Sequence, residues 1–237
     1  MVFYYLKSYN NNSLMKTFAI ILGGGVGTRM ESSIPKQFIP LDGKPVIMHT
    51  IQNFHDFDAK MQIVLVLPME HITLWKDLCT EFNFDIEHQI IRGGKERFYS
   101  VKNALATIPD DAIVLIQDGV RPLASHETID RVRQKAIEKG NAIPYVDINE
   151  SIRKVSKEKT KAVKRHNYKL IQTPQGFKSN IIKQAYKNRY RKSFTDDASV
   201  AEAAGEKIEM VLGNVKNIKI TRPIDLMIAE SLMKITL

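Results

Sequence analysis

The chain has 237 residues, 43% of them apolar and 26% charged, with a formal net charge of +9 and one cysteine, Cys79. That length and balance give a globular protein with a substantial core, one large domain or two small ones, and exclude a disordered chain. A lone cysteine excludes an internal disulfide and is compatible with a reducing compartment, and no stretch approaches the ~20 consecutive apolar residues that a membrane helix needs.

Residues 1–14, rich in tyrosine and asparagine, have too short an apolar run for a secretory signal. They read as an N-terminal tail, with Met15 as an alternative start. Residues 18–22 have the composition of a buried strand and run into Gly23-Gly24-Gly25-Val26-Gly27. A helix over 45–54 leads to a second strand at 63–67, and a helix over 71–82 follows. A short strand at 90–91 precedes Gly93-Gly94-Lys95-Glu96-Arg97; helix 99–107 comes next, and strand 113–116 ends in Gln117-Asp118-Gly119-Val120-Arg121-Pro122. Helix 127–139 stops at Gly140, and 142–146 is another strand. Residues 147–170 turn polar and lysine-rich with some alternation, the pattern of a β-arm leaving the main body. The chain resumes at Thr173-Pro174-Gln175-Gly176-Phe177 with a helix over 179–189 and another, capped at Thr195-Asp196, that runs to Gly205. Strands at 210–212 and 218–220 and a helix over 223–233, with Thr221 as its cap, close the chain.

Apolar strands alternating with helices predict an α/β fold with a doubly wound, mostly parallel sheet. Ligands bind such sheets beyond the carboxyl ends of the strands. The glycine loop, the Gly93-Gly94 segment and the Asp118 segment each follow a strand, so they converge on one sheet edge.

Glycine tolerates positive φ and puts no Cβ in a ligand's way, so backbone N–H groups gather on an anion. Arg29 and Lys36 add two positive charges just beyond, which points to a polyphosphate. A Walker loop is excluded, because Lys36 stands nine residues after Gly27 with no hydroxyl residue after it. A dinucleotide fingerprint is excluded by the spacing of Gly23, Gly25 and Gly27 and by Pro35, which interrupts the polar segment beyond them. Glycines alone would equally suit a strand that simply turns; the two basic residues favour the anion. The net charge invites a nucleic-acid reading, yet the basic residues are scattered. The densest run, 154–169, fits a solvated hairpin better, so neither nucleic acid nor a membrane is expected as a partner.

Six ordered segments carry a family resemblance: Gly23 to Met30 with Pro35-Lys36-Gln37-Phe38; Gly93 to Arg97 with Ser100-Val101; Asp118 to Pro122; Gln172 to Phe177; Thr195 to Ser199; and Asn217 to Pro223. They resemble the cytidylyltransferase family that makes 4-diphosphocytidyl-2-C-methyl-D-erythritol, within the wider sugar-nucleotidyltransferase group. The likeness runs from about Thr17 to the end. It implies a three-layer α/β/α Rossmann-like nucleotidyltransferase fold, with 15–237 as one domain whose 147–170 β-arm exchanges between the subunits of a homodimer. It further implies a cytoplasmic enzyme of non-mevalonate isoprenoid synthesis. The reaction would transfer CMP from CTP to the polyol phosphate 2-C-methyl-D-erythritol 4-phosphate, with release of pyrophosphate and with Mg²⁺ or another divalent cation as cofactor.

By the same resemblance, Gly23, Gly24, Gly25 and Gly27 with Arg29 and Lys36 would hold the triphosphate, and Arg29, Lys36 and Lys219 would be catalytic. Gly94 and Ser100 match the positions that recognise cytosine, and Asp118 the one that holds the metal ion between phosphates. Arg121, Ser151, Arg165 and Thr173 match the acceptor side. Two departures stand out. Glu150-Ser151 replaces the usual Asp-Thr of the arm while keeping a hydroxyl, and Gly119-Val120 stands where Ala-Ala is frequent. Valine there also occurs in enzymes that make CDP-ribitol, so ribitol 5-phosphate is the alternative acceptor. The basic pair Arg153-Lys154 favours methylerythritol phosphate.

Overall fold

Phe18 and Ile20 are buried in one hydrophobic cluster, Ala19 and Ile21 in another. Successive side chains of a strand face opposite ways, so a strand apolar on both faces must lie inside a sheet that helices cover on each side. The computed structural model describes residues 15–25 and 34–235 and has that architecture. In chain order come β1 (Thr17–Leu22), β2 (Pro40–Leu41), β3 (Lys44–Pro45), α1 (Val46–Phe57), β4 (Gln62–Leu67), α2 (Ile72–Glu81), β5 (Gln89–Arg92), α3 (Arg97–Leu105) and β6 (Ile113–Asp118). Then follow α4 (His126–Lys139), β7 (Asn141–Asp147), β8 (Ile152–Ser156), β9 (Lys159–Val163), β10 (Lys169–Ile171), β11 (Gln175–Lys178), α5 (Ser179–Ala185), α6 (Asp197–Ala203), β12 (Met210–Leu212) and α7 (Pro223–Lys234).

β6, β1, β4 and β5 are parallel neighbours, and β11 inserts antiparallel between β6 and β7. β10 and β12 both pair with β7. One core layer packs α3, α5 and α6 against Phe18, Ile20, Val64, Val114 and Phe177. The other packs α1, Trp75 of α2 and α4 against Ala19, Ile21, Ile63, Leu65 and Leu115. Each fully buried Ile or Leu contributes ~2 kcal/mol, so this double layer holds the sheet rigid under its loops. A third cluster of Leu41, Val46, Val120, Ile220 and Ala229 seats α7 over the same end of the sheet that carries the loops.

Along β7, Ile171 pairs with Tyr145 but Gly176 pairs with Ala142, so five residues of the partner cover the span of three. The surplus bulges out at Gln172-Thr173-Pro174, beside the carboxyl end of β6; the Thr173–Pro174 bond is cis. β8 and β9 form the expected hairpin, a separate sheet with mostly exposed side chains.

Several boundaries differ from expectation. Residues 218–220 are not a strand: Ile220 N–H bonds Val120 O once and its side chain enters the third cluster, so the alternation reflects one packed face without a ladder. Helix 179–189 ends at Ala185. Thr221 does not cap α7; instead the Asp225 carboxylate accepts from Thr221 N, Thr221 Oγ1 and Arg222 N. The tail 1–14 lies outside the described residues, and no described helix is long and apolar enough to cross a membrane.

Candidate active site

Three glycines close the ends of the central strands. Gly23 N donates to Val66 O at 2.8 Å, Gly93 N to Leu67 O at 2.7 Å and Gly119 N to Leu22 O at 2.9 Å. Each continues a neighbouring strand's ladder by one bond and then lets the chain leave the sheet. Close approach, rather than positive φ, is what favours glycine here, since none of Gly23, Gly93 and Gly119 has a positive φ. At Gly119 a Cβ would lie 2.8 Å from the Leu22 carbonyl oxygen, where neither backbone has room to yield.

The loops surround a cavity of about 350 Å³ beyond the carboxyl ends of β1, β4, β5 and β6. Gly23, Gly24, Gly25, Lys36, Gly94, Ser100, Asp118 and Lys219 all face it. Lys36 leans on the glycine loop: a Cβ on Gly25 would stand 2.5 Å from Lys36 Cε. Ser100 sits inside α3 and its Oγ accepts from Gly94 N at 3.0 Å, so the two residues expected at the base are bonded to one another. A second pocket of about 260 Å³ adjoins the first, lined by Arg121, Gln172, Thr173 and Thr195, with Arg97, Asp118 and Lys219 common to both.

Asp118 is therefore part of the wall between two polar cavities. Its Oδ2 lies 2.9 Å from Lys219 Nζ and 3.3 Å from Arg121 Nε. Burial alone would raise the carboxyl pKa, but Lys219, Arg97 and Arg121 outweigh it and hold the group well below the usual carboxylate range. Both contacts use Oδ2. Among the described residues no cluster of three or more His, Cys, Asp or Glu side chains could hold a metal ion, and of the expected site residues Asp118 alone carries a carboxylate that could ligate one.

A chain of bonds positions this wall. Thr173 Oγ1 accepts from Asp118 N at 3.1 Å, Asn217 Nδ2 donates to Thr173 O at 2.8 Å, and Arg121 Nη1 donates to Asn217 O at 2.8 Å. The bulge in the strand beside β7 thus delivers Thr173, and fully buried Asn217 ties it to the segment that carries Lys219.

Arg97, the first residue of α3, forms a two-pronged pair with Asp197 at 2.8 and 2.6 Å, and Tyr186 Oη donates to the same carboxylate at 2.6 Å. Asp197 is fully buried. Burial opposes the charge on Arg97, but Asp197 more than compensates, so the guanidinium is held charged. Sequence reasoning gave Arg97 and Asn217 no role. Arg97 meets Asp197 at a separation of 100 residues and Asn217 meets Thr173 at a separation of 44, and no local pattern announces either pairing.

Of the expected site residues, Ser151 and Arg165 do not join either cavity. Both are exposed at the hairpin, and Arg165 Nη1 donates to Asn149 O. Gly27 and Arg29 lie outside the described residues.

Comparison with known proteins supplies the family. The family model for 2-C-methyl-D-erythritol 4-phosphate cytidylyltransferase matches residues 17–235. A protein of that name from Bacteroides fragilis is 48% identical over 215 residues, 91% of this chain and 98% of its own length. One from Phocaeicola vulgatus is 47% identical over 92% of this chain and all of its own length. Among solved structures, the Francisella tularensis cytidylyltransferase of the same name superposes with a TM-score of 0.76 at 29% identity, over 91% of this chain and 99% of that one. The fold is shared also with an Anaerococcus prevotii 4-diphosphocytidyl-2C-methyl-D-erythritol synthase, at a TM-score of 0.78 and 24% identity, over 93% of this chain and 97% of that one. With a matched span that takes in every strand of the central sheet and all three lysines of the cavity, the chain belongs to the 2-C-methyl-D-erythritol 4-phosphate cytidylyltransferase family.

Proposed function

We propose that this protein transfers CMP from CTP to 2-C-methyl-D-erythritol 4-phosphate. The observation that carries this reading is the shared wall of Asp118, Lys219 and Arg97 between the glycine-lined cavity and the Arg121–Thr173 pocket. One cavity suits a nucleoside triphosphate and the other a phosphorylated acceptor, so the two phosphates would meet at that wall. An oxygen of the acceptor phosphate attacks the α-phosphorus of CTP; the new P–O bond forms as the bond to the bridging oxygen breaks, and pyrophosphate leaves with the electron pair. A phosphate monoester is already anionic at neutral pH, so no strong base is required. Catalysis rests on positioning and on stabilising charge.

Lys36 beside the glycine loop, with Arg29, takes up charge on the α-phosphoryl group and the departing pyrophosphate. Lys219, at the wall, draws the α-phosphate and the acceptor together. Gly94 and Ser100 hold the base; a hydrogen-bonding pocket rejects a wrong base because mismatch leaves polar groups unpaired. Arg121 and Thr173 serve the acceptor. A Mg²⁺ ion held by Asp118 and phosphate oxygens would neutralise charge on the triphosphate.

Two copies of the chain complete the acceptor pocket. Ser151 and Arg165 are exposed and line neither pocket of their own chain, and Val155, Tyr168 and Leu170 leave apolar surface uncovered at the hairpin and the strand after it. Exchange of the 147–170 arms in a homodimer would bury that surface and carry Arg165 to the partner's acceptor. A cytoplasmic location fits a reaction that draws on CTP and a sugar-alcohol phosphate.

Pyrophosphate release measured with CTP, Mg²⁺ and either acceptor tests the reading. Turnover with methylerythritol phosphate is expected, and turnover with ribitol 5-phosphate alone would reject the acceptor assignment.

A further inference from the structure

The peptide between Gly23 and Gly24 is held by a side chain to which no role has been given. Gln37 is 1% exposed and its Nε2 donates to Gly23 O at 2.6 Å. Gly23 N is already bonded to Val66 O at 2.8 Å, so both polar groups of this residue are fastened. The identity of the Gln37 nitrogen follows from the bond itself, since a carbonyl oxygen needs a donor and the flipped amide would oppose two oxygens.

The β1 ladder ends at Leu22, and beyond it a buried carbonyl has no strand partner. A loop that turns its N–H groups towards an anion must turn its carbonyls into the protein, where each needs a donor. Gln37 supplies the donor for Gly23. In a planar trans peptide the C=O of one residue and the N–H of the next point in opposite directions. Gripping Gly23 O therefore turns the Gly24 N–H away from Gln37. Gly24 is exposed, faces the glycine-lined cavity, and would have open space around a Cβ.

Gln37 is itself rigidly placed. It is the centre of the one-turn 3-10 helix Lys36–Phe38, closed by Phe38 N to Pro35 O at 2.8 Å. Phe38, 3% exposed, packs against His71 and Trp75 with ring centroids 5.8 and 6.2 Å away. The turn that presents Lys36 is thereby anchored to the core on one side and to the glycine loop on the other.

We propose that Gln37 is a positioning residue for nucleotide binding: through the Gly23 carbonyl it fixes the Gly24 N–H as a donor to the bound CTP. This rests on the CTP site proposed above.

The test uses Gln37→Met, which keeps the length of the side chain and removes the donor, and Gln37→Ala as a second variant should the first be poorly folded. Protein labelled with ¹⁵N-glycine is titrated with CTP and Mg²⁺ without acceptor, Kd is taken from calorimetry, and Gly24→Ala identifies the Gly24 amide signal. The Gly24 signal is expected to move with CTP in the parent protein and to lose most of that shift in the Gln37 variants, with Kd raised roughly tenfold, the worth of one well-placed hydrogen bond. Purely structural support would lower the melting temperature while leaving Kd and the Gly24 shift of the folded molecules as in the parent, and that result overturns the proposal. A parent Gly24 signal that ignores CTP overturns it too. If the parent binds CTP but uses another acceptor, the acceptor assignment falls and the role of Gln37 stands; if it binds no CTP, both fall.

Discussion

Lys219 Nζ lies 2.9 Å from Asp118 Oδ2, joining the segment before α7 to the carboxyl end of β6 across the wall of two cavities. The lysine side chain is 41% exposed, so the pair is accessible to solvent and to substrate. Asp118 is only 13% exposed, but with its cationic end in solvent and Arg97 and Arg121 also facing the carboxylate, the pair adds about 1 kcal/mol to stability, whereas a cation placed at a developing phosphoryl charge is worth ~10²–10³ in rate.

Lys219→Ala should accordingly lower kcat about 10²-fold or more with little change in thermal midpoint. Lys36→Ala should behave alike, since its neighbours Gln37 and Phe38 keep the turn in place. Steady-state kinetics beside a melting curve separate the two effects. A well-folded variant with parental turnover would remove that lysine from the reaction.

Asp118→Asn keeps the shape of the side chain and removes its charge, so activity should fall steeply and extra Mg²⁺ should not restore it. The variant also carries a pH signature. The folded-state pKa of Asp118 is depressed, so its stabilising contribution is complete above the unfolded value of ~3.9 and is lost as pH falls below it towards the folded pKa. Urea unfolding at pH 7 and at pH 3 should show the parent's advantage over Asp118→Asn shrinking in acid. An advantage that grows in acid would contradict the ionised, cation-paired state.

Asp118 and Lys36 were legible in the sequence because each follows a local signal, a strand end or a proline turn. So was the α/β alternation, because buried strands and amphipathic helices write their periods over short windows. The remainder is long-range. Thr173 reaches Asp118 through a bulge that only the register of β7 defines, and Asn217 ties Thr173 to Arg121 through backbone carbonyls that carry no sequence mark. The same limit explains the strand expected at 218–220. Ile218 and Ile220 pack on one side, as alternate strand residues do, but the backbone there finds no ladder to join.

Asp197 is a test of stability rather than chemistry. Its carboxylate is fully buried and takes both prongs of Arg97 and the Tyr186 hydroxyl. Asp197→Ala would take the paired carboxylate from Arg97 and leave the buried Tyr186 hydroxyl without its acceptor, at a cost of ~3 kcal/mol, which for a chain of this size lowers the melting midpoint by about 6–12 °C. Calorimetry measures this directly, and an unchanged midpoint would show that water or another acceptor replaces the carboxylate.

Arg165 tests the assembly. It is exposed, bonds Asn149 of its own chain and lines neither cavity. If the exchanged arm of a second subunit delivers it, Arg165→Ala should raise the KM for the acceptor far more than that for CTP. Mixing then distinguishes the two subunits. In a mixed dimer of Arg165→Ala and Lys219→Ala chains, one pocket receives the intact lysine of one subunit and the intact arginine of the other, while the second pocket lacks both. Assayed at an acceptor concentration far below the raised KM, where both parents are nearly silent, equal mixing makes half of the dimers mixed, each with one working pocket, so about a quarter of parental activity should return in a two-fold symmetric assembly. An arm that served its own subunit would leave every pocket short of one residue, and mixing would restore nothing.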